Sequence, residues 1–215
     1  GPFLREGLPR ELLDPDGPPA IACVSNPYAH AAGYRALMGL SAPDLVISGR
    51  VECLTLYDDV GQNASKRERM RTLSERLSTA LPPGAGCRGP GVFLRRGRGG
   101  EPRPLANAEA IEEMLAGQGF DIVDPEALTA EQIAGRLHGA RIVVGVEGSQ
   151  FAHALYTTPP GGTLLVLQPP DRLAMAFKES ADCLDLRYAF LVGAPVEEEF
   201  AIDPGALSRM LERLS

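Results

Sequence analysis

The segments Arg141–Val146 (RIVVGV) and Thr163–Gln168 (TLLVLQ) constrain this chain more than anything else in it. Each is the length of a strand and apolar at successive positions. A strand written that way is buried on both faces, which is the mark of a parallel sheet covered by helices. Parallel neighbours are joined by a crossover of a dozen or more residues, usually a helix. The stretch from Glu147 to Gly162 is long enough to supply one.

The same alternation extends in both directions. Val92–Arg95 (VFLR), Asp121–Val123 (DIV) and Tyr188–Val192 read as strands. Ala106–Gln118 places Ile111, Met114 and Leu115 at helical spacing, Thr129 caps a helix running to about His138, and Gly148–Tyr156 and Pro204–Leu214 complete the helical set. Upstream the pattern is looser. Ala20–Ser25, Asp44–Ser48 and Glu52–Tyr57 read as strands, and His30–Leu40 and Ser65–Leu81 as helices, the second with Met70, Leu73, Leu77 and Leu81 on one stripe. Pro82–Gly91, with four Gly and three Pro, is the natural linker. The expected architecture is α/β, with two Rossmann-like halves whose parallel sheets are flanked by helices. An irregular lead-in covers 1–19, a smaller N-terminal half 20–86 and a C-terminal half 87–215.

Composition narrows the partners. The chain is 44% hydrophobic and 23% charged, which excludes disorder and a coiled coil. No apolar run approaches the ~20 residues that cross a bilayer, and residues 1–20 lack the basic start and apolar stretch of a signal peptide. Twenty-eight acidic against 21 basic residues give a net charge of −7, so nucleic acid is not an expected partner. The four cysteines lie far apart with no CxxC pair, which argues against a disulfide framework or structural zinc and for a reducing cytoplasm.

In α/β sheets of this kind ligands sit beyond the carboxyl ends of the strands. The residues to search therefore follow Ser25, Arg95, Val123, Val146 and Gln168. After Val146 stands Glu147-Gly-Ser-Gln-Phe-Ala-His153. A helix opening at Gly148 would present backbone N–H groups to an anion, Ser149 and Gln150 can add hydrogen bonds, and His153 can point back into the cleft. Glu147 suits sugar hydroxyls or a base role better than phosphate. The plain alternative is a strand–turn–helix without a ligand.

After Val92–Arg95 comes a cluster of arginines, Arg95, Arg96, Arg98 and Arg103, among glycines. Arginine binds phosphate oxygens through a bidentate fork and stays charged at any working pH, so the cluster reads either as a diphosphate clamp or as a solvated charged loop. Asn107 and Glu109 open the next helix as cap and first-turn acid. His30, in Asn26-Pro-Tyr-Ala-His30, suits proton transfer near neutrality, whereas His138 sits at a helix end and reads as structural. Asp14-Pro-Asp16 and Asp58-Asp59 lack the third ligand a metal would need, and no G-x-S-x-G elbow occurs.

Taken together, the run from Val92 to Pro170 resembles the catalytic domain of glycosyltransferase family 61, whose bacterial members are often labelled capsular polysaccharide biosynthesis proteins. The resemblance rests on Arg103-Pro-Leu-Ala-Asn107, Gly119-Phe120, Pro125-Glu126 and Ala140–Gly145 in that order, with Asn26–His30 similar to an early Asn and His of the family. It departs at Glu147 (usually His), Ser149 (usually Ala) and Gln168 (usually Glu). The resemblance implies a GT-B-like arrangement of two Rossmann-like halves and sugar transfer from a nucleotide donor to a hydroxyl, without an obligatory metal.

The expected function is a metal-independent glycosyltransferase acting in bacterial surface polysaccharide or glycoconjugate synthesis. The candidate binding residues are Arg95, Arg96, Arg98, Arg103, Asn107, Gly148, Ser149 and Gln150, and the catalytic candidates are His30, Glu147 and His153. The nucleotide sugar is a substrate and no cofactor is expected. The alternative is a degenerate, non-catalytic module that docks a partner enzyme or a glycan. The apolar stripe Leu207, Met210, Leu211 and Leu214 would pack on the core or on a second copy.

Overall fold

A computed structural model describes residues 3–14, 17, 21–22, 28–50, 52, 55–59, 61–97 and 101–215. A π-helical turn (Phe3–Gly7) runs into α1 (Leu8–Arg10). Then come β1 (Ile21–Ala22), α2 (Ala31–Leu37), β2 (Asp44–Leu45) and the long α3 (Ala64–Ala80). The second half alternates β3 (Val92–Leu94), α4 (Ala108–Gly117), β4 (Asp121–Val123), α5 (Ala130–Leu137), β5 (Ile142–Val146), α6 (Ala152–Leu155), β6 (Thr163–Gln168), α7 (Lys178–Cys183) and β7 (Arg187–Val192). A hairpin, β8 (Ala194–Val196) and β9 (Glu199–Ala201), precedes the final α8 (Pro204–Leu214).

Strands β3 to β7 form one parallel sheet in the order β4-β3-β5-β6-β7. Although the strands are apolar throughout, their side chains divide by the two-residue period of a pleated strand. Val92, Leu94, Val143, Leu164 and Val166 bury against α2, α3, α5, α6 and α7 on one face. Phe93, Val144, Val146, Leu165 and Leu167 bury against α4, α8 and Phe200 on the other. The helix ends follow their sequence signals. Thr129 and Gln132 form a reciprocal capping box at α5, and the Asn63 side chain accepts the Lys66 N–H at the start of α3.

The smaller half expected over 20–86 has a different role. Among the described residues it contains one parallel pair, β1–β2, of two residues each. Its helices α2 and α3 bury Tyr34, Met38, Met70, Leu73 and Leu77 in the core under the large sheet. The strand expected at Glu52–Tyr57 is not formed at its described residues: Glu52, Thr55, Leu56 and Tyr57 are exposed and in no strand. The strand expected at Ala20–Ser25 survives as Ile21–Ala22, and Cys23–Ser25 lie outside the described residues.

Two ion pairs brace this region. Arg69 pairs with Asp59 at 2.5 Å, both side chains under a tenth exposed. Arg35 pairs with Glu11. The apolar stripe of α8 belongs to the fold, with Leu207 and Leu211 buried and Met210 and Leu214 packed against the same cluster. No helix among the described residues is long and apolar enough to cross a membrane.

Candidate active site

From β3 the chain passes through α4 to β4 on one side of the sheet, and then through α5 to β5 on the other. The loops leaving β3 and β5 therefore diverge at a topological switch point, where open α/β sheets form their ligand crevice. Two of the expected segments meet there. Arg96, half-buried, donates through Nη1 to the Glu147 carbonyl at 2.6 Å and through Nη2 to the Glu101 carbonyl at 2.6 Å. Burial, and then the neighbouring Arg103, lowers its pKa from the ordinary arginine value. Arg103 is nearly enclosed, at 11% side-chain exposure, and its Nε lies 3.0 Å from Glu147 Oε2. That carboxylate oxygen is buried and accepts no hydrogen bond, although buried polar atoms normally have a partner. Arg96 and Arg103 line one side of a cavity of about 420 Å³.

Gly148 makes this approach possible. A Cβ there would stand 1.7 Å from Arg96 Nη1 and 2.5 Å from Gln150 Oε1. The helix after it is shorter than expected, a single 3₁₀ turn (Ser149–Phe151) followed by the four-residue α6. Positive charge at the crevice therefore comes mainly from guanidinium groups and only weakly from a helix dipole.

Several expected ligands are engaged elsewhere. Arg95 forms a two-point pair with Glu112 of α4, Nε to Oε1 at 2.9 Å and Nη2 to Oε2 at 2.5 Å. Strand alternation directs it to the α4 face. Gln150 is buried and donates to the Val146 carbonyl, closing its own turn. Asn107 makes no cap bond; its amide donates to the Ile202 carbonyl at 2.8 Å and accepts the Ile202 N–H at 3.1 Å. It clamps the start of α4 to the segment after β9. Ser149 is exposed at the head of the 3₁₀ turn. Arg98 lies outside the described residues. Gln168, fully buried, donates to the Ala174 carbonyl at 2.7 Å and so holds the loop after β6.

The histidines form a second cluster. His153 is buried between two tyrosines, with Tyr34 Oη 2.6 Å from Nδ1 and Tyr28 Oη 2.7 Å from Nε2. Tyr34 is fully buried and His153 is its one hydrogen-bond partner among the described residues, which assigns its hydroxyl as the donor. Nδ1 is then the acceptor, and Nε2–H donates to Tyr28. Burial, reinforced by His30, pushes the His153 pKa down to about 3. His153 is thus neutral at any physiological pH, with a tyrosine hydroxyl at each ring nitrogen. His30 stands edge-on to His153 with ring centres 5.2 Å apart. It donates Nε2–H to the Leu128 carbonyl at 3.0 Å, and its buried Nδ1 has no hydrogen-bond partner among the described residues. A fixed Nε2–H leaves the lone pair on Nδ1, the tautomer a general base requires. His138 lies near Ser78 at the C-cap of α5, in the structural position expected.

Tyr28, Tyr34, Glu101 and Arg172 escaped sequence reasoning. The tyrosines meet His153 across more than a hundred residues, and no local pattern marks that contact. Arg172 follows β6, one of the five strand ends singled out for search, but as a lone arginine beside prolines it carried no signal of its own. Among the described residues no group of three His, Cys, Asp or Glu is arranged to hold a metal ion.

A parallel sheet with helices on both faces and partly buried arginines at its switch point defines the α/β class, in which the crevice lies at the carboxyl edge of the strands. No curated protein matches the chain significantly. The family model for Glycosyltransferase 61 matches residues 5–165, three-quarters of the chain, and the protein belongs to that family.

Proposed function

We propose that this chain transfers a sugar from a nucleotide-activated donor to a hydroxyl acceptor. The observation that carries the reading is the convergence of Arg96 and Arg103 on Glu147 and Gly148 at the switch point. In the proposed reaction the two guanidinium groups hold the donor diphosphate and stabilise the charge that develops as it departs. His30 Nδ1 removes the proton from the acceptor hydroxyl, and the Leu128 carbonyl keeps its other nitrogen protonated. Glu147 orients Arg103 and accepts from a sugar hydroxyl. Three arginines of the original clamp thus have different weights: Arg96 and Arg103 bind, while Arg95 braces α4.

The proposal extends to a metal-independent, cofactor-free reaction in bacterial capsular or other surface polysaccharide synthesis, carried out in the cytoplasm. It includes a GT-B-like arrangement in which residues 20–86 face the nucleotide-sugar half, 87–215. The contact of His30 with the loop after β4 supports that arrangement. A second reading, a non-catalytic module that binds the donor or a glycan without turnover, is favoured by one observation. Glu147 already neutralises Arg103 where a catalytic site would keep its cation open.

The test is a thermal-shift panel of nucleoside diphosphates and nucleotide sugars with and without Mg²⁺. A ligand at 100 times its Kd adds about 2.7 kcal/mol, or roughly 5–10 °C for a chain of this size. A shift with one base, independent of Mg²⁺ and absent in Arg96→Ala/Arg103→Ala, is expected. A shift that survives the double variant, or a flat panel, overturns the donor site. Donor binding without turnover across a broad acceptor set selects the second reading.

A further inference from the structure

We propose that Arg172 is a third anion ligand of this site and that the Glu101 carboxylate is a resident stand-in, occupying the place a diphosphate takes; the inference rests on the donor-binding reading above. Three guanidinium groups, two from the loop after β3 and one from the loop after β6, gather round Glu101. Arg96 Nη2 donates to its carbonyl, Arg103 Nη2 lies 3.4 Å from Oε2, and Arg172 Nη1 pairs with that same oxygen. Their proximity is felt electrostatically, since Arg103 and Arg172, after burial, both disfavour the charge on Arg96. Three cations in one place repel unless anions sit among them; Glu147 meets Arg103 from the buried side, and the other anion is a side chain 73% exposed to solvent.

Exposed carboxylate pairs are weak and readily exchanged. A diphosphate carries more charge and offers several oxygens to guanidinium forks, so it displaces Glu101 without a change of fold. The cavities agree with this placement. Glu101 to Pro104 forms the wall between the 420 Å³ cavity and a second of about 660 Å³. Arg96 lines the first, Arg172 the second, and Arg103 both. A diphosphate at the Glu101 position therefore borders both spaces, one for the rest of the donor and one open to an acceptor. The loop that carries Arg172 is anchored independently of Glu101, because Gln168 bonds both the carbonyl and the N–H of Ala174. It also lies beyond the residues that match the family model, so that match assigns it no role.

Calorimetric titration of inorganic pyrophosphate, with a nucleoside diphosphate panel in parallel, tests the assignment. Arg172→Ala should weaken pyrophosphate by about tenfold, one lost charge-assisted contact. Glu101→Ala should tighten it between about twofold and tenfold by removing the competitor. The double variant Glu101→Ala/Arg172→Ala should lose that gain. Unchanged or weaker binding in Glu101→Ala, or unchanged binding in Arg172→Ala, overturns the inference. If Arg96→Ala/Arg103→Ala abolishes binding while the Glu101 and Arg172 variants match the parent, the inference falls and the donor reading stands. If binding survives Arg96→Ala/Arg103→Ala, or pyrophosphate and nucleoside diphosphates bind neither the parent nor Glu101→Ala, both fall.

Discussion

Mild acid should destabilise this protein through one side chain, His153. The unfolded chain protonates that imidazole near pH 6.5, whereas burial and His30 hold the folded value near 3. Between those values the unfolded state binds a proton that the native state refuses, so acid favours unfolding. Stability is full above about pH 6.5, falls as pH drops through the window, and levels only near pH 3. The slope is about 1.4 kcal/mol per pH unit for one such group, which gives about 2 kcal/mol between pH 6.5 and 5. For a chain of 215 residues that corresponds to roughly 4–8 °C in the unfolding midpoint. The group is almost wholly buried, so solvent screening takes little from this figure. Denaturant unfolding of the parent and His153→Gln at pH 7.5, 6.5, 5.8 and 5.0 isolates the effect. Any carboxylate contribution is common to both, and the fixed cost of losing the imidazole is a constant offset. The parent-minus-variant difference should shrink by about 2 kcal/mol over the window. A difference constant within about 0.5 kcal/mol, or an NMR titration of the His153 ring near pH 6.5, refutes the argument.

Three further outcomes follow from contacts described above. Asn107→Ala removes both halves of the Ile202 clamp and leaves backbone groups without partners, so stability should fall by about 1–3 kcal/mol in denaturant unfolding. Gly148→Ala puts a methyl group against the Arg96 guanidinium; nucleoside diphosphate affinity by calorimetry should drop about tenfold, with a smaller loss of stability than Asn107→Ala. Asp59→Ala leaves the enclosed Arg69 guanidinium with the Pro9 carbonyl and the Ser65 hydroxyl but no counter-charge and should cost about 2–3 kcal/mol in chemical denaturation, more than Glu112→Ala, whose partner Arg95 is half exposed.

What the sequence made legible was whatever depends on local spacing. The parallel strands β3, β5, β6 and β7 lie where continuous apolar runs stand, and α3, α4, α5 and α8 where apolar residues recur at helical spacing. Glu52–Tyr57 has strand-like composition too, but a strand needs a neighbour to satisfy its backbone. The only sheet described near it is two residues wide on each side, and Leu56 is 82% exposed. At the site, the arginine cluster was visible as composition, while its division of labour was not. Arg95 and Arg96 differ by one position in the pleat and border the same cavity, but one is paired with the Glu112 carboxylate and the other with the Glu147 and Glu101 carbonyls. Asn107 reads as a helix cap in the linear sequence because its true partner, Ile202, is 95 residues away. The Tyr28–His153–Tyr34 contact is longer still, and periodicity cannot report it.

The clamp between Asn107 and Ile202 also sets an order of assembly. The segment just after Arg103 takes its backbone partners from the far end of the chain: Phe200 accepts the Ala106 N–H, donates to Pro104 and bridges Leu105. As the polypeptide leaves the ribosome, β3 to β6 can pair and bury their faces while this loop is still untethered. The guanidinium crevice is thus the last part of the molecule to acquire its shape. A proteolytic cut or premature stop ahead of Phe200 would strip α8 from one face of the sheet and at the same time release the ligand-holding loop, so that face and the crevice would be lost together.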